Sequence, residues 1–125
     1  MNNNGHASAN PIIEEFQTPS VKGDFSITGV GFKPRLLEFD VVLASVSSIQ
    51  RCVSKITEKK SISHYSVQSG TISTASTSDG KAITLKDSNG AIVCECVLVA
   101  MNQDGFTLKF TEVTSRPFVM FTAYP

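Results

Sequence analysis

Residues 24–45 read D-F-S-I-T-G-V-G-F-K-P-R-L-L-E-F-D-V-V-L-A-S and predict two β-strands joined by a tight corner. Apolar and polar residues alternate through 24–28, which is the period of a half-buried strand. Gly29 and Gly31 permit positive φ angles at the corner, whereas Pro34 is excluded from an ordinary central-strand position. Beyond the corner, one face of the second strand is apolar and consists of Leu37, Phe39, Val41 and Leu43. The other face carries two acids, so we expect one side on a core and the other partly in water.

Short alternating segments continue through the rest of the chain, with turn signals about every ten residues. Asn89-Gly90 supplies the positive φ angles of a tight hairpin, and the apolar segment 91–101 is expected to be a central strand. A region rich in Ser and Thr is expected to form a strand through 61–68 and an exposed loop through 70–80. The pattern predicts an all-β fold: a single antiparallel β-sandwich, jelly-roll-like, of seven or eight strands.

The first part of the chain differs in character from the rest. Residues 1–23 are expected to be a flexible or docking N-terminal arm, ahead of a β-sandwich domain at 24–125. Asn10-Pro11, followed by two acids, is typical of the start of a short helical turn. Two alternatives remain for the apolar residues of this arm: they pack on the edge of the domain, or they insert into another subunit. These residues are Ile12, Ile13 and Phe16.

Length and charge limit the possible functions. A chain of 125 residues is one domain by size. Eleven Lys and Arg balance eleven Asp and Glu, which argues against nucleic acid as the main partner and leaves no long-range repulsion between copies. The N-terminus has neither a basic start nor an apolar run, so we expect no signal peptide and synthesis in the cytoplasm. No apolar run approaches the ~20 residues of a membrane span, so no membrane partner is expected.

The cysteines are predicted to be structural. Cys52, Cys94 and Cys96 are an odd set in a chain without the composition of a disulfide scaffold, so we expect reduced thiols in the core. Cys94-Glu95-Cys96 is not a metal signature, although His64 and Cys52 could in principle complete a zinc site. No serine has a positioned base. We therefore expect no catalytic residue, no metal and no cofactor, and the protein is predicted not to be an enzyme. A small hydrolase or a metal-binding protein remains an alternative.

Two groups of side chains are candidates for contacts. His64 and Tyr65 lie near the Ser/Thr-rich region, and Tyr65 could stack on a sugar or be an ordinary sheet-face residue. The last strand presents Phe118, Met120 and Tyr124 on one face. With the apolar residues of the arm, this set predicts an interface between copies of the chain. A local basic patch, formed by Arg51, Lys55, Lys59 and Lys60 beside Glu58, is expected to be a solvated face or a charged strand edge.

Two segments resemble phage virion and tail-fibre β-sandwich modules. One is F-S-I-T-G-V-G-F-K-P-R-L-L-E-F at 25–39, and the other combines D-G-F-T-L-K-F at 104–110 with F-V-M-F-T-A-Y at 118–124. The resemblance implies a non-enzymatic structural or adhesive virion component, used in a tail or fibre for host attachment. It also implies a homo-oligomer, with a trimer favoured, and other virion proteins or a surface glycan as further partners. It carries over no site residue. The layout is similar to that of H-type lectins, so a carbohydrate-binding module is the alternative.

Overall fold

Ten strands make up the part of the chain that the computed structural model describes. That part comprises residues 10–44, 49–67, 72–77, 81–87 and 89–125, with the backbone alone at 65, 67 and 72–77. The strands are β1 (Ile12–Gln17), β2 (Gly23–Ile27), β3 (Leu36–Ala44), β4 (Ile49–Ile56), β5 (Ser61–Val67), β6 (Ile72–Thr77), β7 (Lys81–Lys86), β8 (Ile92–Asn102), β9 (Gly105–Glu112) and β10 (Phe118–Tyr124). No helix within these residues is long and apolar enough to cross a membrane.

Two antiparallel sheets face each other across one core. The larger has six strands in the order β1-β10-β3-β4-β5-β6, and the smaller has four in the order β2-β9-β8-β7. The predicted antiparallel β-sandwich is therefore confirmed. Two meanders, β3 to β6 and β7 to β9, form most of it. The molecule therefore has the two facing sheets of a jelly roll, but its strands are connected differently.

The strand count exceeds the predicted seven or eight because two segments pair where the sequence predicts other structure. The helical turn predicted after Asn10-Pro11 is wrong: the segment is β1, which pairs with β10 along its whole length. The sandwich therefore begins ahead of residue 24, and residues 1–9 lie outside the described part. The loop predicted at 70–80 is wrong across 72–77, which form β6 at the sheet edge and pair with β5. Residues 70, 71 and 78–80 are not among those described.

The core is built from the alternating faces that the sequence predicts. In β3, Leu37, Phe39 and Val41 are fully buried, while the acids between them face outward. In β10, Val119, Phe121 and Ala123 point inward. Rings from both sheets meet between these strands, and Phe106 of β9 contacts Phe39 and Phe121 at centroid separations of 5.9 and 5.1 Å. These contacts join the sheets across their centre.

Asp104 holds the glycine corner in place from the neighbouring turn. Its carboxylate accepts hydrogen bonds from the backbone N–H of Gly29 at 2.9 Å and of Gly31 at 2.7 Å. Its carbonyl accepts from the N–H of Val30 at 3.1 Å. Both glycines have positive φ, 84° and 93°, as the sequence predicts. The hydrogen bonds, first from Gly29 and then from Gly31, lower the pKa of Asp104. A single side chain therefore stabilises the turn that leads from β2 to β3.

We expect Asp104→Asn to destabilise the fold near neutral pH, because an amide offers one acceptor oxygen where the carboxylate offers two. A carboxylate with a lowered folded-state pKa stabilises the fold above its unfolded pKa of ~3.9 and loses that contribution as the pH falls. The stability difference between the wild type and the Asp104→Asn variant should therefore shrink below about pH 4. Urea unfolding at a series of pH values measures it. Asp24→Asn, which neutralises an exposed carboxylate of β2, is the control. If the stability difference between the wild type and the Asp104→Asn variant were the same at neutral and acid pH, the role of the carboxylate would be contradicted.

Candidate functional site

The outward side of the six-stranded sheet, here called the outer face, carries most of the side chains that the sequence nominates for contacts. Strand pairing arranges its residues in rows that run across the sheet. One row joins Met120, Asp40, Val53 and His64, and the next joins Thr122, Glu38, Lys55 and Ile62. A third row pairs Val42 with Arg51. Because side chains alternate along each strand, all of these project from one surface.

Three large apolar side chains form an exposed cluster on the outer face. Phe118 is 60% exposed, Met120 is 53% exposed and Val42 is 49% exposed. The register of β10 and β3, in which Val119 pairs with Val41, sets Phe118 opposite Val42. Exposed apolar residues are ordinary when scattered, but a contiguous group on one surface usually marks a contact site. We call these three residues the apolar cluster.

Two ion pairs lie near the apolar cluster on the outer face. Arg51 binds Asp40 in a bidentate manner, with N–O distances of 2.7 and 3.1 Å, and this hydrogen bonding raises the pKa of Arg51. Nζ of Lys55 lies 3.5 Å from Oε2 of Glu38. Glu38 also accepts a hydrogen bond from the Tyr124 hydroxyl, which raises the pKa of the tyrosine. Such exposed pairs add little stability, so their main consequence is a surface that carries charges of both signs.

The structure separates the residues proposed as oligomer contacts into two groups. Phe118, Met120 and Ile13 are exposed on the outer face, and Tyr124 is half-buried there. Ile12 packs against the core instead. Phe16 is buried, with ring centroids 5.4 Å from Phe25 and 6.0 Å from Phe121. Of the two alternatives for the arm, packing on the domain therefore applies to Ile12 and Phe16, and Phe16 is not available to a second copy.

The structure describes the side chain of one candidate ligand residue, His64, but not that of the other, Tyr65. His64 is exposed on the outer face, in the same row as Met120. The sequence treats His64 and Met120 as parts of separate sites, but strand pairing places them on one surface. Tyr65 lies in β5, where it pairs with Cys52, and its side chain is outside the described part. Its proposed contact with a sugar stays a prediction.

The thiols belong to the core, as the sequence predicts. Cys52, Cys94 and Cys96 are buried and unpaired by disulfides, and burial raises the pKa of Cys94 to about 12. A thiol with so high a pKa has little of the thiolate that binds metals or attacks substrates. His64 lies on the face of the sheet opposite Cys52, so these residues do not converge on one point. Within the described ranges, no group of three potential ligands could hold a metal ion.

Val42 belongs to the apolar cluster but is not among the contact residues that the sequence predicts. Alternation along β3 places it on the charged face with Glu38 and Asp40, and an apolar side chain among acids on a solvated face was the available signal. Its position beside Phe118 required the pairing of β3 with β10, which the sequence does not specify. Comparisons with protein-family models, with curated proteins and with solved structures found no match to this chain.

Proposed function

We propose that this protein is a non-enzymatic structural or adhesive module that self-assembles through the outer face of its six-stranded sheet. The observation that carries the proposal is the apolar cluster of Val42, Phe118 and Met120, exposed on a surface of fixed ion pairs. Large apolar and aromatic side chains at the centre of a polar rim are the usual anatomy of a protein interface. The resemblance to phage modules supports a virion component of a tail or fibre.

A second copy of the chain is the partner that the charges favour. The outer face presents Asp40 beside Arg51 and Glu38 beside Lys55, and Glu15 of β1 pairs with Met120, so it carries both acids and bases around the apolar cluster. Such a face can place an acid opposite a base when it meets its own copy, and closed symmetry follows from a self-complementary surface. The chain has no net charge to oppose this contact. A face that meets itself closes as a two-fold dimer, whereas the trimer that the fibre resemblance implies would pair the outer face with a different surface of the next copy.

The alternatives require features of other kinds. A carbohydrate-binding module similar to H-type lectins would use His64 and Tyr65 on the same sheet. A small hydrolase or metal-binding protein would need a concave site with converging polar groups, whereas His64 stands on an open sheet face. The apolar cluster therefore favours assembly over catalysis.

We expect the double substitution Phe118→Ser with Met120→Ser to weaken self-association about tenfold or more, since truncating apolar anchors costs at least ~1–2 kcal/mol at an interface. Both residues are exposed, so the fold should be retained. Sedimentation velocity over a range of concentrations measures the effect. The matched control is Ile92→Ser with Val99→Ser, two exposed residues of β8 in the other sheet. A wild-type protein that is monomeric at high micromolar concentration would overturn the proposal, as would equal weakening by both double variants.

A further inference from the structure

Two adjoining clefts lie at one end of the six-stranded sheet, and neither includes the apolar cluster. The larger, of about 530 Å³, is formed by the β2–β3 loop and the β4–β5 turn and is lined by Lys33, Pro34, Arg35, Thr57, Glu58 and Lys59. The smaller is lined by Leu36, Lys55, Thr57, Lys60, Ser61 and Ile62. Thr57 lines both, so the two clefts adjoin at the β4–β5 turn and together make one site. We call this the basic groove.

Positive charge is concentrated in the basic groove. Five of the chain's eleven Lys and Arg residues line it, together with one of its eleven acids. One of the five, Lys55, is paired with Glu38 of the outer face, so the charge of the groove rests on Lys33, Arg35, Lys59 and Lys60. The sequence shows only a run of basic residues near β4, of which Arg51 belongs to the outer face and is paired with Asp40. The fold adds Lys33 and Arg35 from a loop distant in sequence. A neutral protein thus presents a local positive field, which attracts anions over short distances.

Hydrogen bonds fix the backbone on both sides of the groove. The Thr57 hydroxyl accepts from the N–H groups of Lys59 at 3.2 Å and Lys60 at 3.1 Å, and the Thr57 N–H donates to the Lys60 carbonyl at 2.8 Å. On the other wall, the Arg35 N–H donates to the Tyr124 carbonyl at 2.8 Å. These contacts hold the segments that carry the cations, so little ordering of the backbone is needed when a ligand binds.

We propose that the basic groove binds an acidic saccharide, through the sulfate or carboxylate groups of successive sugar units. Lys33 and Lys59 line the first cleft and Lys60 lines the second, so both clefts contain lysine, which suits a ligand with more than one negative charge. The apolar side chains of Leu36 and Ile62 line the second cleft and offer contact to the carbon face of a sugar ring. The assignment rests on the groove itself and does not depend on self-assembly.

Other anionic polymers fit the groove less well. None of the lining residues that the structure describes is aromatic, so the bases of a single-stranded nucleic acid would find no stacking platform. Peptides bind either by adding a strand to a free sheet edge or, where they are acidic, to clusters of arginine. The groove has one arginine, Arg35, and its Nε already donates to the carbonyl oxygen of Pro125. The strands at the groove, β3, β4 and β5, each have strand neighbours on both sides. A saccharide needs neither stacking of bases nor a free edge.

The test measures binding of a labelled heparin oligosaccharide by fluorescence anisotropy at several salt concentrations. Wild-type protein should bind more tightly as salt is lowered, because the contacts are electrostatic. Lys33→Gln with Lys59→Gln should reduce affinity about tenfold or more, since charged hydrogen-bonding contacts are the strong ones. The matched control is Lys22→Gln with Lys109→Gln, which removes the same charge from exposed positions beside and within the four-stranded sheet. The control should change affinity by less than about twofold.

Several results would overturn the proposal that the basic groove binds an acidic saccharide. Absence of heparin binding at low salt would overturn the proposal, and so would equal losses in the two double variants, which would indicate only general electrostatic attraction. Equal affinity for single-stranded DNA of the same charge, or for a neutral glucan, would overturn the assignment to acidic saccharides. Sedimentation velocity on the variant substituted at Lys33 and Lys59 should show unchanged assembly, which separates failure of this site from failure of the proposed interface.

Discussion

Gly105→Ala is expected to destabilise the sandwich by about 3 kcal/mol, at the upper end of the range for overpacked sites. A methyl group built on Gly105 would lie 1.9 Å from the carbonyl oxygen of Ile27, 2.9 Å from its carbonyl carbon and 3.3 Å from the Cα of Thr28. All three are backbone atoms, so no side-chain rotation can relieve the contact. The end of β2 and the start of β9 must move apart. This movement would also draw Asp104 away from Gly29 and Gly31.

Urea unfolding measures the loss, and Gly90→Ala is the informative control. Gly105 and Gly90 both have a positive φ, 155° and 85°, but a Cβ at Gly90 would meet nothing within 4 Å. Alanine at residue 90 therefore tests the backbone conformation alone, at a cost of about 1–2 kcal/mol. A loss at Gly105 that is no larger than the loss at Gly90 would show that β2 and β9 separate at little cost.

The sequence marks a turn at 102–105 but does not reveal why its glycine is needed. That reason is the close approach of Ile27, which belongs to a strand distant in sequence. The same limit explains β1 and β6. Both lie at sheet edges, where half of the backbone hydrogen bonds are unused and the apolar pattern is weak. Local preferences for a helical turn or a loop were therefore outweighed by pairing with β10 and β5.

Faces of strands were easier to predict than neighbours of strands. Alternation alone assigned the inward residues of β3 and separated the two faces of β10, because side chains alternate with a period of two. Which outward residues become neighbours depends on strand order. The sequence therefore named Phe118 and Met120 but not Val42, and it named Lys59 and Lys60 without Lys33 and Arg35. Both candidate surfaces arise where pairing brings together residues from separate segments.

Phe106→Ala is expected to cost about 3–5 kcal/mol, the usual range for removing a buried ring. Phe106 is fully buried and stands edge-on to Phe121, at an interplanar angle of 82°, and to Phe39, at 77°. Phe106 comes from the four-stranded sheet, while the other two come from the six-stranded sheet. Its removal therefore opens a cavity between the sheets rather than at an edge, where neighbours could close in.

Two comparison variants distinguish this loss from a general effect of removing a phenyl ring. Phe118→Ala removes the same ring from the exposed apolar cluster and should change the free energy of unfolding by less than about 0.5 kcal/mol in the monomer. Phe106→Leu should recover part of the loss, because it fills part of the cavity. Since domains of this kind are stable by only ~5–15 kcal/mol, Phe106→Ala should also lower the urea midpoint strongly at nearly constant slope. Equal small losses at positions 106 and 118 would mean that the two sheets are not held together by the ring contacts at their centre.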